Sequence, residues 1–124
     1  MSITVVALII GVAAILQGGL NGRLMPHMGL TQMVVLNNIV ALVLSLGLWA
    51  TAKWSPQSLP AIFHLKSDSH WPGLWALTPA AFGLLIVAGL PYAFTLAGAL
   101  TVFIILIAVQ LVAGQTWDLL VEGM

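Results

Sequence analysis

The chain has no cysteine and almost no charge. The first absence excludes disulfides, thiolate metal centres and cysteine nucleophiles. The second is more informative. Asp, Glu, Lys and Arg together make up 5% of the 124 residues, whereas an ordinary soluble domain carries about 25%. A fold with so few charges cannot cover its own surface in water, and lipid is the solvent that accepts it. Formal net charge is zero and no basic run occurs, which leaves no electrostatic footprint for nucleic acid. What remains is apolar: the residues AVILMFWYC account for 61%. The length suits one small bundle, a single transmembrane domain over 1–124. A cleaved signal peptide fits poorly, because Met1-Ser2-Ile3-Thr4 has no basic side chain and the apolar run behind it is too long.

A hydrocarbon core of about 30 Å takes about 20 apolar helical residues. Ser2 to Gly22 is uncharged and supplies one span. Met25-Pro26-His27-Met28-Gly29 reads as a turn, and Thr31 to Ala52 as a second span. From Lys53 to His70 the composition changes to Lys53, His64, Lys66, Asp68 and His70 with Pro56 and Pro60, the mark of a solvated or interfacial loop. Trp71 to Trp117 then holds no charge at all. As one helix it would be roughly 70 Å long, over twice the membrane. It has to break, and Pro91, Gly98 and their small neighbours put the break between Pro91 and Ala99. The expected architecture is therefore all-α and integral to the membrane, with four helices at about 2–22, 31–52, 72–94 and 98–121 and a polar loop at 53–71. Trp49, Trp54, Trp71, Trp75 and Trp117 fall near the span ends, as an aromatic belt requires. Pro79 and Pro91 suggest kinks in the third span. An even span count puts both termini on one side with Lys53 and Lys66, against Arg23 on the other. That bias is too weak to fix orientation. It motivates an antiparallel pairing of two copies inserted in opposite senses.

Few polar residues lie inside the spans, so each has two readings. Gln17 and Asn21 share a helix face beside Gly18 and Gly22, a GxxxG spacing. They are either amide glue on a packing seam or the lining of a substrate path. Asn37-Asn38 interrupts the second apolar run, and a buried unpaired amide costs several kcal/mol. At least one of the two needs a partner, and Asn38 joins the path candidates. Gln110, Gly114 and Asp118 form one stripe on the last helix, with Gln115 on a different face. Gly114 is a helix-packing candidate beside Gly18 and Gly22. Asp118 is either a solvated helix end or a cation or proton site at the mouth of a pathway. Glu122 is the other acidic residue near that terminus, and Tyr92 reads as interfacial. The histidines lie in expected loops without metal-ligand spacing, and no nucleophile triad or phosphate-binding glycine loop occurs. No cofactor, metal or enzymatic chemistry is expected. With no deep charge, a substrate should be small and neutral or amphipathic, or meet its charge partner at Asp118.

These motifs resemble a known family. Gln17-Gly18-Gly19-Leu20-Asn21 resembles the Gln-x-x-x-Asn signature of the first helix in the YdcZ-like family. Those are small bacterial inner-membrane proteins related to the drug/metabolite transporter superfamily. Ala97-Gly98-Ala99-Leu100-Thr101, Gln110 and Asp118 resemble the order and spacing of its C-terminal half. The chain departs from the family pattern at Asn37-Asn38, Val109 and Leu119-Leu120-Val121. The resemblance implies a multi-pass location in the bacterial inner membrane and a transporter subunit. It also implies at least a homodimer, since one four-helix unit is too thin to enclose a path. Inverted repeats around a midplane site are the common transporter plan, and an antiparallel homodimer would supply them from one sequence. Two other readings stay open: a non-transporting membrane subunit of a larger complex, and a lipid- or amphiphile-binding protein.

Overall fold

The computed structural model describes residues 2–123, with the Glu122 side chain outside the description. The described residues are helical or loop, without strands. Helix α1 runs Ile3–Trp54, α2 Thr78–Ala97 and α3 Ala99–Trp117. Short 3₁₀ turns at Pro56–Ser58, Ala61–Phe63 and Leu74–Leu77 fill the segment between α1 and α2, and a π turn at Asp118–Glu122 follows α3. Among the described residues, three helices are long and apolar enough to cross a membrane: Ile3–Trp54, Leu74–Ala97 and Ala99–Val121.

The first of these is 52 residues long, and a helix of that length would measure roughly 78 Å. It is interrupted at Gly29, where φ is 78° and ψ is 163°. That combination is open essentially to glycine alone. The sequence suggests a turn beginning at Met25, but Pro26, His27 and Met28 remain helical. Proline removes one amide donor and crowds one carbonyl, which kinks a helix without having to end it. Glycine at positive φ ends the helical path here. The same device recurs at Gly98, with φ 77° and ψ 158°, between α2 and α3. Its N–H donates to the Phe94 carbonyl at 2.9 Å, and its own carbonyl accepts from the Val102 N–H at 3.2 Å. One residue thus separates two helices while its backbone groups stay paired on both sides, which a chain in hydrocarbon requires.

Pro79 differs from its expected role as a kink. It sits in the first turn of α2, with Pro91 inside the helix. An α-helix would send the N–H of residue 79 to the Trp75 carbonyl, and proline has none to send. The Thr78 N–H bonds that carbonyl instead, which closes the tighter 3₁₀ turn of Leu74–Leu77.

The chain divides into two units: Met1–His27 with Gly89–Met124, and Met28–Ala88. In the first unit Gly18 packs against Leu90 and Phe94, and the Phe94 and Phe103 rings meet edge-on at 5.2 Å. Gly18, Asn21, Pro91 and Val102 are its buried residues. In the second unit Met33 and Ala52 are buried. Most other apolar side chains are exposed. Leu42, Val43 and Leu44 are consecutive, about 100° apart around the helix, and they are 58%, 61% and 68% exposed. A helix apolar on all faces is a membrane span or is buried among other helices.

Candidate functional site

Six short polar side chains of the helices share one solution to an apolar environment. The Asn38 amide donates to the Val34 carbonyl at 2.8 Å, and Asn37 to Met33 at 2.9 Å. Ser45, Thr51 and Thr116 likewise donate to the carbonyl four residues back, and Thr95 to Tyr92. Each of these groups is satisfied in part by its own helix. Among the described residues no buried side-chain N or O lacks a partner.

The glutamines Gln17, Gln110 and Gln115, and Asp118, do not follow this pattern. Gln17, Gln110, Gln115 and Asp118 are exposed and make no side-chain hydrogen bond within the described chain. Gln110, Leu111, Val112, Gly114, Gln115 and Asp118 line one open concave surface. The expected stripe of Gln110, Gly114 and Asp118 is therefore together, and Gln115 borders the same surface rather than a separate one. The concavity is wider than one ridge of the helix. Leu111, Gln115 and Asp118 form a second row beside Gln110, Gly114 and Asp118. Gly114 supplies the open floor, since a Cβ built there would meet nothing within 4 Å. Asp118 opens the π turn, and its N–H reaches both the Gly114 and Gln115 carbonyls.

The other candidates are placed differently. Asn21 is 4% exposed, on the same helix as exposed Gln17. Gly18 lies at a tight helix contact, while Gly22 has open space where a Cβ would be. Gln17, Asn21, Gln110 and Asp118 belong to the first unit and Asn38 to the second. A second concave surface, along Ile3, Ala7, Gly11 and Ile15, is almost wholly apolar. It has little to orient a polar ligand, so the α3 surface is the better candidate site. His64 and His70 contact the carbonyls of Leu59 and Asp68 in the loop.

Helices apolar around their circumference, with polar groups back-bonded and a few glutamines left over, define an integral membrane protein of the small helical type. The chain belongs to the family described as "Putative inner membrane exporter, YdcZ", whose model matches residues 2–121. No curated protein and no solved structure matches it. Membership in an inner-membrane exporter family supports both a membrane location and a transporter role.

Proposed function

We propose that the protein is a transporter subunit of four membrane spans that works as a homodimer. Breaks at Gly29 and Gly98 would divide the apolar helices into those four spans. The observation that carries the reading is the unpaired polar surface of Gln110, Gln115 and Asp118 on an otherwise apolar helix. Amides and a carboxylate are costly against lipid, so they call for a second copy, water or a substrate. Two copies, antiparallel in the simplest arrangement, would enclose a cavity lined by Gln17, Asn21, Gln110 and Asp118, with Gln115 added. The copies would rock about a GxxxG-type seam to give alternating access. Neutral amides dominate that lining, which favours a small neutral or amphipathic substrate.

The test is flux in proteoliposomes. Replacing Gln17, Asn21 and Gln110 together by Leu should lower flux at least tenfold while the protein still elutes as a single species. Flux that survives the triple change removes these residues from the path. The apolar concavity at Ile3–Ile15 favours a second reading, a protein that binds lipids or amphiphiles. In that case binding should persist in the triple variant without any flux.

A further inference from the structure

The end of α1 carries a cluster that the transport reading does not use. The Lys53 ammonium lies 5.1 Å from the centroid of the Trp49 ring and 5.9 Å from that of Trp54. The two indoles meet edge-on at 6.3 Å, and all three side chains are exposed. We infer that Trp49, Lys53 and Trp54 form a binding site for the phosphate of an anionic phospholipid.

Three arguments support this assignment. The first is depth, and it rests on the reading that α1 spans the membrane after Gly29. The stretch from Leu30 to Trp49 is about 30 Å long, which matches a hydrocarbon core of about 30 Å. Lys53 lies one turn further, about 6 Å on. Each headgroup layer is roughly 5–8 Å deep, so the ammonium sits at the level of the lipid phosphates. The second is chemistry. Lysine has three N–H donors, and aromatic faces attract the charge without offering oxygen acceptors. Among the described residues Lys53 makes no ion pair, so a phosphate oxygen is its natural complement. The indoles also hold the flexible stem near one position, which lowers the ordering cost of binding. The third is continuity. The exposed side chains of Leu42 and Leu46 lie on the helix face of Trp49 and Lys53. Acyl chains can lie on that surface while their headgroup meets Lys53, which free phosphate cannot do.

The experiment uses the full chain in phosphatidylcholine vesicles, with Trp71→Phe, Trp75→Phe and Trp117→Phe leaving only Trp49 and Trp54 to emit. Brominated phosphatidylglycerol and brominated phosphatidylcholine are compared as quenchers at equal mole fraction. One interfacial lysine is expected to give about a fivefold preference for the anionic lipid. Lys53→Gln should bring the preference to unity, and Lys53→Arg should retain it. Equal quenching by both lipids, or a preference that persists in Lys53→Gln, overturns the site. So does loss of the preference on adding millimolar inorganic phosphate, which would make the ligand a free anion. If neither brominated lipid quenches, α1 does not span beyond Gly29 and the inference fails with that reading. Strong quenching without preference leaves the span standing and removes the site alone.

Discussion

Gly18 is the residue where sequence and packing meet most tightly. A Cβ there would lie 2.5 Å from Phe94 Cε2, 2.9 Å from its Cζ and 3.2 Å from a Leu90 methyl. The Phe94 ring cannot simply swing away, because Phe103 closes on it edge-on. Gly18→Ala is therefore expected to cost about 1–3 kcal/mol, the usual range for overpacking. Adding Phe94→Leu should return part of the loss, and a double-mutant cycle of unfolding in detergent measures the coupling. A cycle with no coupling would mean that the two helices do not meet at this glycine. The GxxxG spacing pointed to both Gly18 and Gly22, yet within this chain only Gly18 takes a close neighbour. Spacing puts two glycines on one face and says nothing about which of them is covered. The polar residues divide in a similar way. The stripe of Gln110, Gly114 and Asp118 was legible from the helical repeat, and Gln115 was not, because the concavity takes in two ridges. Asn37 and Asn38 reach their own helix, whereas Gln110 and Gln115 do not, a difference that the helical repeat does not encode.

At the level of the helices, positive-φ glycine and not proline sets the breaks. The uncharged run from Trp71 to Trp117 had to be broken on length alone, and the interruption falls at Gly98. Pro91 was an equal contender in the sequence, but it is fully buried within α2. Prolines in apolar helices are tolerated where neighbours and local adjustment satisfy the freed carbonyl. The helical course through Pro26 up to Gly29 repeats the lesson. The sequence bracketed each break, over Met25 to Gly29 and between Pro91 and Ala99, and the backbone dihedrals fix the residue within each bracket. Gly98→Ala should then be costly, because its conformation is closed to residues with a Cβ, at about 1–3 kcal/mol. The alternative for the variant is to become helical at 98 and fuse α2 to α3 into a rod of roughly 60 Å, twice the hydrocarbon thickness. Gly47→Ala, in the interior of α1 with open space at the Cβ position, should be neutral or stabilising by up to about 1 kcal/mol. Thermal unfolding in detergent and cysteine labelling of the C-terminus compare the pair. Equal behaviour of the two variants would deny Gly98 its special role.

For the whole molecule, what matters is how little of the apolar and polar surface one copy can cover. Buried apolar side chains are few, and lipid can cover the rest. Lipid cannot cover Gln110, Gln115 and Asp118 at comparable cost, and in the proposed homodimer a second copy would cover them. The basic residues then bear on how the two copies insert. Arg23 stands before the Gly29 break, and Lys53 and Lys66 stand after the apolar stretch that follows it. In a four-span chain Arg23 lies near one side and the two lysines near the other, the nearly balanced case in which the positive-inside rule gives no single answer. Removing either group should give one. Arg23→Ala leaves only lysines, which should bring their side, and with it the C-terminus, into the cytoplasm. Lys53→Ala with Lys66→Ala should turn the C-terminus outward. A paired set of C-terminal reporters, each active in one compartment, reads both outcomes, and the parent chain should register in both. If function needs antiparallel pairs, each single-orientation variant should lose transport when expressed alone, and co-expression should restore it. Full transport by a chain held in one orientation would leave the dimer parallel, with its two α3 surfaces facing each other across a shared axis.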